Sequence, residues 1–539
     1  MLQATCTHCH QTFVIPDRDQ EYYQRLAVPT PTKCPPCRFQ LRLTFRNERT
    51  LYQRQCALCK KITLSVYSPD KPYIVYCREC WWSDRWNPLE YGQDIDWSRP
   101  FFDQLLEVKK RTPRIALMND ATAENSDFCN HCYRLKNCYM VFDANDNENT
   151  LYSSGTYYVK DSVDCAYNDS CELCYETLYS EDCYNLKYSR DSVNCRDSYW
   201  LIDCIGVSNS FMCVGLRNQS YCYKNKQYTE AEYNQILAKY QLTTRDHFAQ
   251  YQQEFLEFSV TIPRKFYHGV RNEDISGDYL MNNKSVYHSF QTRASENCSY
   301  SYGIFKTKDS YDYTVWGEDA ERMYEAHACG GQASDIRFCS VVWHGQDNDY
   351  CDQCLNGPKH CFGSVSLKNE QYCILNKQYT EQEYNGLRQR LVEHMTKTGE
   401  WGQFFSPALA PYAYNETMAM EFFPLTKEQA LAGGWTWQDN LPGTYGKADS
   451  TKHIFDCTQC KKNFKLVAAE LDFYERQHIP WPTQCPDCRH IARMRYRAPY
   501  QLWERQCMRS GCDNRFQTAY SPERKEIVYC EDCYKKMVY

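Results

Sequence analysis

Sixteen cysteines of this chain fall into eight close pairs, four near each end. Cys6-x2-Cys9, Cys34-x2-Cys37, Cys56-x2-Cys59 and Cys77-x2-Cys80 return as Cys457-x2-Cys460, Cys485-x2-Cys488, Cys507-x4-Cys512 and Cys530-x2-Cys533. The gaps between successive pairs are 24, 18 and 17 residues in both copies, and only the Cys507 pair differs internally, by two inserted residues. A Cys-x2-Cys knuckle turns the backbone back on itself, and two knuckles together supply the four soft, tetrahedral ligands that Zn(II) prefers. Iron–sulfur clusters also take four cysteines, but knuckles paired at these separations favour zinc. Four Zn(II) per chain are therefore expected. Pairing the first knuckle with the second and the third with the fourth is the simpler assignment; crossed pairing is the alternative. No position is left for water, so the sites read as structural, each contributing on the order of 10 kcal/mol to folding its module.

A second set of residues could bind phosphate. In CRFQLRLTFRNERTLYQR the arginines Arg38, Arg42, Arg46 and Arg49 step by four, four and three, which predicts one face of a helix; Arg489, Arg493 and Arg497 repeat them, with Arg495 added. Guanidinium forks match phosphate, so this face is a candidate for RNA or DNA. The competing reading packs these arginines beside the thiolates and pairs them with Glu48, Glu504 or acids of the middle region.

Catalytic signatures are scarce. The chain contains no HExxH, no phosphate-binding GxxxxGK[ST] and no GxSxG. DANDNE at 143–148 lacks the glycine and the final glutamate of a calcium loop. Asp143, Asp146, Asp164, Asp182, Asp203, Asp347 and Asp349 could form an acidic face of a polysaccharide-cleaving solenoid, but they read better as turn residues between short strands. Cys129-x2-Cys132, Cys171-x2-Cys174 and Cys351-x2-Cys354 in the middle read as core packing in preference to further metal. Trp81, Trp82 and Trp86 read as a junction between the first module and its neighbour.

The two cysteine modules, 1–97 and 450–539, align without gaps from Cys6 against Cys457 to Cys56 against Cys507. The match includes Phe13 with Phe464, Tyr23 with Tyr474, CPPCR with CPDCR, and VYCREC with VYCEDC. CTHCHQTFVI, the Tyr-Tyr after it and PTPTKCPPCR resemble a zinc-ribbon family of small bacterial proteins with ribbon or treble-clef folds and no assigned activity. CALCKKITLSVYSPD with VYCREC is similar to a second uncharacterised zinc-ribbon type. CMRSGC departs from that pattern by its longer knuckle.

Between the modules, 98–124 reads as a helical connector, with Phe101, Phe102, Leu105 and Leu106 at helical spacing. It is expected to dock the first module on the repeat next in sequence. Residues 125–242 repeat short segments such as SVDCAY, EDCYNL and LIDCIG. Columns drawn through Cys132, Tyr152, Cys174, Cys195 and Cys213, and through Cys165, Cys183, Cys204 and Cys222, step by 18 to 22 residues. A parallel β-solenoid with coils of about 20 residues is predicted, its interior filled by reduced cysteine. YCYKNKQYTEAEYN closes this repeat and YCILNKQYTEQEYN closes a second, 276–400, in which Cys339 to Cys361 and Cys351 to Cys373 are each 22 apart. Thr229 with Glu232 and Thr380 with Glu383 are capping boxes that start a helix over each last coil. Residues 243–275 form a helix and linker, and 401–449 an aromatic, loop-rich connector. The expected fold is thus mainly β: two tandem β-solenoid-like repeats flanked at each end by paired zinc-ribbon or treble-clef modules, with few helices.

The formal charge is -6, and sixteen zinc-bound thiolates would take it to about -14. The chain as a whole would repel polyanions, so nucleic-acid contact would need a local patch. No run approaches a membrane span and the start carries no apolar leader, so the reading is cytoplasmic, with 34 cysteines on metal or reduced. The function expected is a zinc-stabilised, non-enzymatic binding scaffold. Its partner is RNA or DNA at the arginines, or a protein; the alternative is a solenoid carbohydrate-active enzyme.

Overall fold

In a computed structural model the chain is described except at residues 120, 121, 319, 322, 323, 326–336, 339, 341–344 and 539. Cys329 and Cys339, and with them the expected step from Cys339 to Cys361, lie outside the described residues. The protein is mainly β, with two solenoids and short hairpin-and-helix modules at both ends.

The solenoid coil has 12 residues, not about 20. Tyr184 pairs in parallel with Arg196, Tyr199 with Phe211, and Cys132 with Ala144. The expected period fails because the sequence repeats every third residue, and four such triplets close a coil. In each triplet the first residue has positive φ, the second points inward and the third bridges to the next coil. Positive φ recurs at every third position from Asn125 to Lys224, including Gly155, Gly206 and Gly215. Asn and Asp tolerate that region best among residues with a side chain, so the run of acids and amides lies at solenoid corners. Asp143, Asp146, Asp164, Asp182, Asp203 and Asp347 are all such corners.

Inward positions need side chains that are small and can donate. The Cys132 thiol donates to the carbonyls of Asn130 at 3.2 Å and Val141 at 3.3 Å, and the Thr150 hydroxyl donates in the same way to Glu148 and Val159. The inward backbone N–H is met by a hydroxyl one coil earlier, as in Cys165 to Ser153 and Cys222 to Ser210. A tight coil thus leaves inward carbonyls and amides that only Cys, Ser, Thr or Asn can satisfy. Cysteine does so while remaining largely apolar. Burial pushes the thiols of Cys138 and Cys165 up to about 11 and that of Cys204 up to about 12, so they stay protonated donors.

The second solenoid keeps the same plan with irregular coils, which is why its columns do not align in the sequence. A bulge lies between Ile275 and Gly277, and Gln346 pairs with Lys359, one residue beyond the regular step. Each solenoid ends in a hairpin, Cys222–Tyr223 with Lys226–Gln227 and Gln371–Ile374 with Lys377–Gln378. The turn residues Asn225 and Asn376 have positive φ, and each side chain bonds both the N–H and the C=O of a valine in the preceding coil, Val214 or Val365. The capping boxes at Thr229 and Thr380 start helices Glu230–Leu237 and Glu381–Thr398, which lay Tyr233 and Tyr384 on Tyr221 and Tyr372 of the last coils.

Two compact units result, and neither is contiguous in sequence. One combines 1–117, 267–441 and 500–502; the other combines 118–266, 442–499 and 503–539. The N-terminal cysteine modules therefore pack on the second solenoid and the C-terminal modules on the first. The connector helix Phe101–Arg111 docks accordingly, on the second solenoid and not on the one next to it in sequence. Phe101 stacks edge-on against Phe362 at 5.2 Å and lies against Gly363, where a Cβ would come within 2.2 Å of its ring. Its counterpart Arg245–Ser259 packs Phe248 and Phe255 on the first solenoid around Trp200. Each connector then adds a parallel strand to a cysteine module, Arg114–Ile115 beside Val75–Tyr76 and Arg264–Lys265 beside Val528–Tyr529.

Candidate metal centres

Each cysteine module has two lobes of one design. An antiparallel hairpin, such as Leu2–Thr5 with Thr12–Ile15, carries the first knuckle in its turn. The second pair opens a helix: Cys34 is the N-cap of Pro35–Leu43, Cys77 of Arg78–Trp82 and Cys485 of Pro486–Met494, and Cys530 precedes Glu531–Val538. The knuckle closes through a residue of positive φ, at His10, Lys60 and Lys461. In the longer CMRSGC turn Gly511 takes that conformation, and the Cys507 N–H still reaches the carbonyl of Asn514 at 2.9 Å.

The knuckles pair first with second and third with fourth. Cys6, Cys9, Cys34 and Cys37 form one group, Cys56, Cys59, Cys77 and Cys80 the next, then Cys457, Cys460, Cys485 and Cys488, and Cys507, Cys512, Cys530 and Cys533. Within each, all four sulfurs lie within 4.8 Å of one another. The second and third sulfurs are 3.7, 3.8, 3.6 and 3.9 Å apart in the four groups. A tetrahedral metal with Zn–S bonds of about 2.3 Å has edges of about 3.8 Å. The two-residue insertion therefore leaves the fourth group's geometry intact.

The surroundings favour thiolate at one or two sulfurs of each group, Cys6 and Cys34, Cys56, Cys457, and Cys530. In every group the first sulfur accepts the backbone N–H of the third cysteine, at 3.2 to 3.3 Å. Burial opposes ionisation of Cys56 and Cys457, but these and neighbouring N–H bonds hold both down to about 6. Hydrogen bonding from Cys37 lowers Cys34 to about 5, at the positive end of its helix. Two populations of cysteine thus share one chain: sulfurs gathered in fours, where burial and neighbouring sulfurs push members such as Cys77, Cys488 and Cys533 up while Cys34, Cys56 and Cys457 are held low, and solenoid thiols that donate to backbone carbonyls and stay protonated. Cys129, Cys132, Cys171, Cys174, Cys351 and Cys354 belong to the second and join no ligand group among the described residues.

The arginines do not form one helical face. Pro35–Leu43 ends before Arg46 and Arg49, and Pro486–Met494 before Arg495 and Arg497. Arg38 and Arg42, fully buried, converge on Asp312 of the solenoid at 2.9 and 2.8 Å; Arg489 and Arg493 converge on Asp164, both at 2.9 Å. Arg46 pairs with Glu48, Arg49 is half-buried, Arg495 is exposed, and Arg497 donates to Tyr167. Glu504 is exposed and pairs with none of these arginines among the described residues.

The docking is the same in both units and includes residues that no metal or phosphate motif marks. Tyr300 donates to Asp19 at 2.7 Å and lies under Arg38; Tyr152 donates to Glu470 at 2.7 Å and lies under Arg489. In both solenoids that tyrosine precedes its aspartate by twelve residues, one coil. This Tyr-x11-Asp repeat is the signal that could have found them. Beside the second lobe, Arg114 and Lys109 of the connector reach Asp352 at 2.8 and 2.9 Å in one unit; in the other, Tyr534 of the second lobe itself donates to Asp203. Trp81 and Trp86 are buried at the junction, whereas Trp82 is partly exposed. Asp349 meets Arg337 and Arg388, Asp146 meets Arg134 and Asp347 meets His360, so these acids are dispersed along the solenoids.

No family model and no curated protein matches the chain. No helix among the described residues is long and apolar enough to cross a membrane.

Proposed function

We propose that the protein is a zinc-stabilised, non-enzymatic binding scaffold in which four Zn(II) ions fold the terminal modules and hold them against two solenoids. The observation that carries this is the sulfur tetrahedron: four groups, one edge length, and an N–H bond to the first sulfur of each. All four ligands of each site come from the chain, so the metal has no open position for substrate, and its part is to fix structure. The helix-borne second pair favours the treble-clef form of the resemblance over a ribbon of two hairpins.

Of the two partner classes, a protein is the better supported. A phosphate approaching Arg38, Arg42, Arg489 or Arg493 would have to displace a buried carboxylate. The interior thiols serve as donors only when reduced, which supports a reducing compartment such as the cytoplasm.

Metal analysis of the purified protein tests the reading. It should give four equivalents of zinc, and Cys34→Ser or Cys485→Ser should each remove about one and expose the corresponding lobe to protease. A metal content near zero in folded protein would remove the basis of the proposal.

A further inference from the structure

The four cysteine groups share one geometry but differ in what surrounds their sulfurs. In the first group Cys6, Cys34 and Cys37 are buried, whereas Cys9 is exposed, alone in this among the described cysteines. Its sulfur lies 3.7 Å from that of Cys34. The donors that reach this group are the backbone N–H groups of Cys9 and Cys34, and both fall on the Cys6 sulfur. Among the described residues no side chain outside the group donates to any of its four sulfurs.

The second group is guarded. Arg85 donates from Nη2 to the Cys80 sulfur at 2.8 Å. Ser83 holds the guanidinium in place, accepting from Arg85 Nε at 3.4 Å and donating to the Cys80 carbonyl at 2.7 Å. In the fourth group the position matching Arg85 is Val538, and the side-chain donor is the uncharged Asn514, 3.5 Å from the Cys530 sulfur. The third group has Cys460 and Cys488 half-buried.

These differences set reactivity. Bound to metal, every sulfur of a group is a thiolate. A hydrogen-bond donor draws charge away from a ligand sulfur and burial denies access to it, so oxidation follows exposure and thiolate character. The solenoid thiols do not compete, because they are buried and keep their protons for backbone carbonyls, as Cys132 and Cys183 do.

We propose that the first group is a hydroperoxide-responsive site, in which Cys9 is oxidised first and the zinc held there is released, while the second group, covered by Arg85, keeps its own. The Cys9 thiolate attacks one peroxide oxygen: an S–O bond forms, the O–O bond breaks, and the departing hydroxide takes a proton to become water. The Cys34 sulfur, 3.7 Å away, then attacks the Cys9 sulfur; an S–S bond forms, the S–O bond breaks, and a second hydroxide leaves as water. Two thiolates are thereby oxidised to a disulfide and the peroxide is reduced, with two protons consumed. The two remaining cysteines are too few to retain the metal. Cys34 is also the N-cap of the helix that carries Arg38 and Arg42 to Asp312, so the release loosens this lobe on the second solenoid. The inference rests on the zinc-stabilised scaffold reading and adds a response to it.

The test treats the zinc-loaded full chain with hydrogen peroxide in sub-stoichiometric steps. Released zinc is read with a chromogenic chelator, and disulfides are mapped by mass spectrometry after free thiols are blocked. The first zinc released should accompany a Cys9–Cys34 disulfide, with Cys56, Cys59, Cys77 and Cys80 still reduced. Cys9→His, which keeps a zinc ligand without a sulfur, should hold its zinc and slow release from the first group at least about tenfold. Arg85→Met should speed release from the second group about tenfold, and Arg85→Lys, which keeps a donor, should restore most of the protection. The proposal is overturned if the first disulfide forms in another group, or if the groups are oxidised together. It is also overturned if Cys9→His with its zinc in place reacts as the wild type does, or if Arg85→Met leaves the second group unchanged. Should Cys9→His fail to hold zinc, the wild-type disulfide map decides by itself. A chain that holds four zinc ions against peroxide loses only this inference; one that holds no zinc loses the scaffold reading beneath it.

Discussion

Replacing Asp164 by alanine should unlatch the C-terminal module from the first solenoid. The carboxylate receives Arg489 and Arg493, each at 2.9 Å, and the exposures of the three side chains are 3, 6 and 0 % for Arg489, Arg493 and Asp164. Removing one partner of a buried pair leaves an uncompensated charge and costs about 3–5 kcal/mol. Arg489 keeps Glu470 at 3.2 Å, so the loss falls mainly on Arg493, whose remaining bond is to the Tyr152 carbonyl, and the lower half of that range is expected. Urea unfolding monitored by intrinsic fluorescence reads the change, fitted with more than one transition because the chain has two compact units. Asp164→Ala should lower one transition and Asp312→Ala another. Asp146→Ala, whose exposed partner is Arg134, should change stability by less than about 1 kcal/mol. The apolar double variant Asp164→Leu with Arg493→Met should recover much of the loss, since a packed apolar replacement relieves the buried charge. Wild-type midpoints in Asp164→Ala, or a double variant worse than the single, would refute the docking argument.

Two other buried groups give measurable outcomes. Cys183 donates to the Glu181 carbonyl at 3.2 Å and the Ser192 carbonyl at 3.4 Å, so Cys183→Ser should keep the donor and cost little, whereas Cys183→Val should destabilise by about 1–3 kcal/mol in the same urea assay. Burial, with Asp312 adding to it, raises Glu325 to about 7 from an ordinary value of 4.5. Its folded form holds the proton more tightly than the unfolded chain, so its contribution to stability is full below about pH 4.5 and declines as pH rises to about 7, by about 3 kcal/mol in all. Glu325→Gln should flatten that part of the stability–pH curve; an unchanged slope would contradict it.

The metal ligands are legible in the sequence because a knuckle is local: two cysteines and the turn between them fix each half-site, and duplication repeats the spacing. The capping boxes at Thr229 and Thr380 are legible for the same reason. The solenoid is legible as an architecture, but its coil length is not. Cys129, Cys132, Cys138, Cys165, Cys171, Cys174, Cys183, Cys195, Cys204, Cys213 and Cys222 all differ by multiples of three, the true inward period. Columns drawn through Tyr152, a corner residue, obscure it. The arginine spacing suggests one exposed helix, because periodicity continues past Leu43 although the helix does not.

By itself, the sequence determined where metal can bind, that each half of the chain repeats the other, and that the middle is built from small inward side chains between turns of Asn and Asp. These properties come from bonds between residues close in sequence or one coil apart. Only the tertiary structure decided that the N-terminal modules belong to the second solenoid and the C-terminal modules to the first. That choice depends on Asp312 and Asp164 taking arginines some 270 and 330 residues away. Both modules carry the same arginines and both solenoids offer the same aspartate, so local pattern gives no preference between the two pairings. Particular contacts such as Phe101 on Gly363 and Phe405 on Phe45 belong to the pairing that forms, and no spacing in the sequence records them.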